Sequence, residues 1–244
     1  MNLHEGAIKI PGNIKIFIRN FLIRFENEVE SLRTEFSDGK YYIKCKNDVL
    51  GKVLKKFQEV DLIKNSKIKD LSLKMSLRFD FQNVEGAFTT AQNNNKQGII
   101  IMSTSKFFEY VHHNSEWYIG NINWPRFKSV FIHECIHFVQ YVFKSELHPH
   151  VFASKKSYMD RPYEQQAWAE GYLELVRQKL KTADPKKLLS SLYNHGVLHD
   201  DDLKKLKQTN YSAWKGIMKQ AVMSSLMDLK KDQILPWQKE RSLP

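Results

Sequence analysis

The stretch "FIHECIHFVQY", residues 131–141, puts His133 and His137 four apart, with Glu134 directly after the first. On a helix turning 100° per residue, residues four apart lie one turn apart on one face. Two imidazole nitrogens can then converge on a single ion at about 2.0–2.1 Å. Glu134 is rotated off that row, but it can reach a water held by the ion. This is the physical logic of H-E-x-x-H: two ligands and a general base. Around the same helix, Phe131, Cys135, Phe138 and Val142 make one apolar row. Ile132, Ile136, Val139 and Phe143 make a second, and His133, His137 and Gln140 a third. The spacing therefore predicts a helix buried on most sides, with two histidines projecting together.

A catalytic zinc usually takes three protein ligands and keeps one open position. "SYMDRPYEQQAWAEGYLELV", residues 157–176, offers Glu164 in the first turn of a helix. Asp160 is the expected N-cap, and Pro162 is tolerated in the first turn, where its missing N–H costs nothing. The dipole at a helix start favours an ionised carboxylate there. Glu164, Ala167, Trp168, Gly171 and Leu175 share a face that is otherwise apolar, so the carboxylate needs a partner. A cation would serve, and so would an ordinary ion pair with Arg or Lys. His148 and His150 in "ELHPHVF" are the rival third ligands. Glu170 and Glu174 lie off the Glu164 face and are expected to face solvent. His112, His113, His195 and His199 carry no spacing signal.

With these residues in view, "HECIHFVQY" followed by "RPYEQQAWA" resembles the gluzincin-type zinc metallopeptidases. The likeness is greatest to the compact minigluzincin and phage or bacterial peptidase-like proteins. That resemblance implies Zn2+ held by His133, His137 and Glu164, with Glu134 as general base. Gln166 stands where the family often has a second glutamate, which is not the ligand. The resemblance spans roughly residues 70–180. A weaker resemblance is to the SprT-like proteases that act on DNA–protein crosslinks. It would make His148 a ligand and leave the "RPYEQQAWA" helix unexplained.

The chemistry expected is zinc-dependent hydrolysis, with a peptide or protein as substrate. Tyr158, Tyr163 or His150 could donate to the oxyanion. Gln140 or Tyr141 could hold a ligand ring in place. The strand "QGIIIMST", residues 97–104, is a candidate edge for pairing with an extended substrate. A binding protein with a purely structural ion is the competing reading. Such a site would need four protein ligands and has no use for Glu134. Nucleic acid is a further candidate partner because of the basic balance, but no recognition motif accompanies it.

The elements that must position these residues fit one 244-residue chain, 42% hydrophobic, with Lys plus Arg 38 against Asp plus Glu 27 and a net charge of +11. The basic residues are spread along the chain, as on a solvated surface. Two distant cysteines, Cys45 and Cys135, make no disulfide framework. No apolar run is long enough for a membrane span. "MNLHEGAIKIPGN" lacks the basic start and apolar stretch of a secretory signal, so a cytoplasmic protein is expected.

Residues 14–36 read as an amphipathic helix stopped near Gly39, and 48–64 as a second. "LSLKMSLRFDFQ" (71–82), "GAFTTAQ" (86–92) and "QGIIIMST" read as a three-stranded antiparallel meander. "HHNSEWYIGNINW" reads as a loop, followed by a helix from about Pro125 to Phe143. Helices are expected over 160–181, from Pro185 to about Asn194, from "HDDDLKKLKQ" and over 211–230. The fold class expected is α+β and zincin-like, with a small sheet packed on the histidine helix. Residues 1–66 would form an N-terminal helical region, 67–182 the core and 183–244 a helical extension, all one compact unit.

Overall fold

The computed structural model describes residues 10, 12–45, 52–53, 55–57, 72–91, 94–143, 158–182, 184–195 and 201–239. The fold is α+β, and the chain divides into two compact units, Ile10–Val142 and one that contains the chain from Phe143 onward. Among the described residues, no helix is long and apolar enough to cross a membrane.

The first unit opens with α1 (Gly12–Glu30). Ile14, Ile18, Leu22, Phe25 and Val29 recur at helical spacing and are buried. The helix ends at Glu30, six residues short of the expected end. "TEFSDGKYYIK" instead makes a hairpin of β1 (Thr34–Glu35) and β2 (Tyr41–Lys44). Gly39, at φ +74°, turns that hairpin and does not stop the helix. An Asp-Gly pair is a strong hairpin signal, because the left-handed backbone costs glycine nothing. Residues 52–53 and 55–57 are helical, and the rest of the expected 48–64 helix lies outside the described residues.

The three central strands do not form an antiparallel meander. β3 (Ser72–Arg78) runs parallel to β5 (Asn94–Ser103), and β4 (Gly86–Ala91) runs antiparallel to β5 on its other side. The order is β3-β5-β4, so β5 is the middle strand and cannot be the edge that receives an extended substrate. Its run Ile99–Met102 explains why: a continuous apolar stretch suits a strand covered on both faces. The β3–β4 connection pairs with the end of β5, through Phe81 N to Ser103 Oγ (3.2 Å) and Ser103 N to Glu85 O (2.9 Å).

The expected loop at 112–124 is also a strand pair. β6 (Phe108–His113) and β7 (Glu116–Ile122) join β1 and β2 in a second sheet, ordered β1-β2-β7-β6. Asn114 and Ser115, at φ 48° and 62°, form a two-residue turn whose twist matches the strands. α2 (Trp124–Phe143) follows. Asn123 begins it: its Oδ1 accepts from Arg126 N at 3.2 Å, an N-cap that spares one unpaired donor of the first turn.

In the second unit, a 3-10 turn (Tyr158–Asp160) leads into α3 (Pro162–Leu180). α4 (Pro185–His195), α5 (Asp201–Thr209) and α6 (Tyr211–Lys239) follow. The cap of α3 is Arg161, which makes no side-chain cap bond; the expected cap, Asp160, instead accepts from Asn210 Nδ2 at 3.2 Å. α3 is the core helix, its Tyr172, Leu173 and Val176 packed with Leu188, Ile217 and Ala221. Glu170 and Glu174 are buried, at 4% exposure each, contrary to the expectation that they face solvent. Glu170 accepts from Ser224 Oγ (2.6 Å) and Glu174 from Gln178 Nε2 (2.7 Å).

Two glycines give a paired prediction. A Cβ on Gly98 of β5 would lie 2.4 Å from the Phe138 ring of α2. The atoms nearest to one on Gly216 of α6 would be the amide tip of Gln165. Gly98→Ala is expected to cost about 1–3 kcal/mol of stability, since a buried ring must move. Gly216→Ala should cost less, because a flexible tip swings aside and alanine favours the helix. The shifts of the urea midpoints of the two variants check this.

Candidate metal centre

The site is built on α2, whose residues from Phe131 to Gln140 are all buried except His137, which is partly so. Within its own unit the helix packs against α1 and β4. Phe131 and Phe127 stack on Phe21 and Phe25 of α1 at 5.5 and 5.8 Å. Phe138 meets Phe88 of β4 at 5.9 Å. Lys128, 3% exposed, is neutralised by Glu26 of α1, and Trp124 Nε1 donates to Glu30 at 2.7 Å. Burial raises the pKa of the Glu30 carboxyl; bonds from Arg33 and Trp124, with Arg33's charge, outweigh it and hold the group below its ordinary value.

The histidine row carries His133 and His137 with their Nε2 atoms 3.0 Å apart. Their rings stand nearly perpendicular, at 83°. His137 Nδ1 lies 3.0 Å from Gln140 Oε1. An amide oxygen can only accept, so that contact makes Nδ1 the donor, and in the neutral ring Nε2 then carries the lone pair. His133 is driven well below its ordinary pKa by burial first, then by His137 and by the charge of Arg126. Burial thus favours the neutral form of His133, the form that metal binding requires.

Glu134 is 8% exposed and sits where β4 begins. A Cβ on Gly86 would lie 2.8 Å from Val130 and 3.2 Å from Glu134 Cγ. The missing side chain lets the strand approach the helix at that carboxylate. Cys135 is fully buried, its thiol pushed well up by burial and then by Glu134. It lies half a turn away from the histidine row and offers no thiolate to an ion.

Glu164 occupies the first turn of α3 in the second unit and is 3% exposed. Beside it, Tyr163 accepts from Arg161 Nη1 at 3.0 Å. Burial raises the Tyr163 phenol, Arg161 lowers it and the Glu164 charge raises it again, for a net upward shift. Tyr158 is 48% exposed, with the Arg161 guanidinium 5.9 Å from its ring centroid. His148 and His150 lie outside the described residues. His112 and His113 are exposed at the tip of the β6–β7 hairpin.

The structure thus brings His133, His137 and Gln140 together, with Glu134 a step around the same helix. Sequence reasoning missed Gly86 and the pair Glu85–Arg126, bonded at 2.9 and 2.7 Å. One signal was present: Arg126 stands seven residues before His133, on the same helical row. No family model matches the chain, and neither a curated protein nor a solved structure matches it.

The burial of Cys135 generates a prediction. Alkylation of the folded protein at pH 8 should modify partly exposed Cys45 slowly and spare Cys135. Mass spectrometry should show Cys135 labelled only after denaturant is added. Labelling of Cys135 at the rate of a free thiol would mean that α2 is not packed as described.

Proposed function

We propose that the protein is a zinc-dependent hydrolase acting on peptide bonds, with a zincin-like arrangement of sheet and histidine helix. The observation that carries this reading is the facing of the His133 and His137 Nε2 atoms across 3.0 Å. Two ligands at 2.05 Å from a tetrahedral ion stand about 3.3 Å apart, so a shift of a few tenths of an ångström suffices. The ligands in this reading are His133, His137 and Glu164, two imidazoles and a carboxylate. Two nitrogens and one carboxylate match a catalytic zinc and leave its fourth position open. Gln140 fixes the tautomer of His137 and so points its lone pair at the ion.

Zinc held there would lower the pKa of water to about 7 and polarise the scissile carbonyl. Glu134 then takes one proton from the attacking water and passes it to the departing amine nitrogen as the C–N bond breaks. An extended substrate would find no room along β5. The edges of that sheet belong to β3 and β4, and β4 is the one whose Gly86 abuts Glu134. Tyr158 and Tyr163 are candidate donors to the oxyanion. A purely structural ion would need a fourth protein ligand, and Cys135 is turned away from that task.

Metal analysis of the purified protein should find about one zinc per chain, and far less in His137→Ala and Glu164→Ala. Full zinc occupancy in either variant contradicts the ligand set. Glu134→Gln should keep the metal while peptide hydrolysis falls about 10²–10⁴-fold. Undiminished turnover there would remove the general-base role. Gln140→Leu should weaken zinc binding about 10–100-fold, as loss of a ligand's supporting bond does; titration against a chromophoric chelator measures it.

A further inference from the structure

We propose that the second unit carries a binding pocket for a small phosphorylated ligand, in the cavity between the end of α3 and one face of α4. The cavity holds about 370 Å³ and is lined by Leu180, Lys181, Thr182, Lys187, Ser190 and Ser191. That volume lies within the range of small-molecule sites. None of the lining residues is acidic. Lys187, Ser190 and Ser191 are three and four residues apart and so share one face of α4. Leu188 and Leu192 anchor the same helix in the core, which fixes the direction of its polar face.

The lining has the chemistry of a phosphate site. Among the described residues, neither the Lys181 nor the Lys187 ammonium has a carboxylate partner. One such lysine on an open surface is ordinary. Two on one concave lining concentrate positive charge where solvent is partly excluded. Thr182 Oγ1 accepts from Asp184 N at 3.1 Å, which leaves its hydroxyl hydrogen to donate to a ligand oxygen. Asp184 is not in the lining, and its own carboxylate accepts from Lys186 N at 2.9 Å. Leu180, 39% exposed, gives the organic part of the ligand an apolar contact.

The backbone supplies an independent observation. α3 ends in a Schellman motif: Lys181 N donates to Gln178 O at 3.3 Å and Thr182 N to Arg177 O at 3.2 Å. The motif holds Lys181 in the left-handed region, at φ 49° and ψ 41°. Glycine is the residue that suits this position, and a lysine there costs stability. A residue that burdens the backbone while its side chain lines a cavity fits a binding role.

The test is calorimetric titration of the full-length protein with phenyl phosphate at low ionic strength, beside inorganic phosphate. Phenyl phosphate should bind once per chain and more tightly than inorganic phosphate, which lacks the contact with Leu180. Lys181→Gln and Lys187→Gln should each weaken it about three- to tenfold. Lys215→Gln, exposed on α6 and outside the cavity, should not. Lys181→Gly should weaken binding as Lys181→Gln does, yet raise the thermal midpoint of the free protein, because it removes the backbone cost. A merely structural Lys181 would not give those opposite signs. His137→Ala should bind phenyl phosphate as the parent does. Loss of binding there would place the anion on an ion at the histidine row, which overturns this inference and leaves the metal reading standing. No saturable binding, unchanged affinity in Lys181→Gly, or equal weakening by Lys215→Gln also overturns it. Saturable binding of a single-stranded DNA oligonucleotide alone would replace the pocket with an extended basic surface.

Discussion

α2 is buried around nearly its whole girth, and that constraint governs the first unit. A helix with so little contact with solvent must satisfy most of its polar side chains from within the protein. Lys128 does so through Glu26, Trp124 through Glu30, Arg126 through Glu85 and His137 through Gln140. Each partner fixes what surrounds the helix. The first two belong to α1 and the third to the segment that opens β4. The site is therefore not an addition to a finished fold. The bonds that make burial of the helix tolerable are the bonds that orient it.

Much of this was legible in the sequence. The four-residue spacing of the histidines and the apolar rows beside them gave α2 nearly to the residue, and they predicted its burial. The helices of the second unit were legible for the same reason, since a 3.6-residue period is a local signal. The failures lie where the deciding contact is distant. Period-two alternation is identical in parallel and antiparallel strands, so "LSLKMSLRFDFQ" could not reveal that β3 pairs with β5 in parallel. The unbroken Ile99–Met102 run did hold the information that β5 is central, through its lack of a polar face. Two hairpins were missed although their turns were written in the chain. Asp38-Gly39 was overridden by an apparent helical continuation through Phe36. Asn114-Ser115 was hidden because His112, His113 and Trp117 break the apolar pattern at an exposed tip.

α3 shows a different limit of sequence reading. A helical wheel tells which residues share a face, but not how many faces are covered. Glu170 and Glu174 were placed opposite an apolar stripe, and a helix with one neighbour would leave them in water. α3 lies against both α4 and α6, so those carboxylates end up inside, accepting from Ser224 and Gln178. Burying a carboxylate is tolerable only with such donors. Arg161 as cap, in place of Asp160, follows from the same competition: Asp160 is drawn to Asn210, 50 residues on, and Pro162 needs no N–H partner.

The histidine spacing alone does not make a ligand pair; the states of the two rings do. A neutral His133 follows from burial, which any apolar helix would supply. The lone pair on His137 Nε2 follows from Gln140, one turn on, and so could be written locally into the chain. The partner of Arg126 on the same row cannot be read locally, because Glu85 comes from another segment of the chain. The three requirements thus sit at three depths: composition gives the first, helical spacing the second and tertiary pairing the third. That ordering explains why the histidine pair was legible in the chain while the groups packed around it emerged only from the fold.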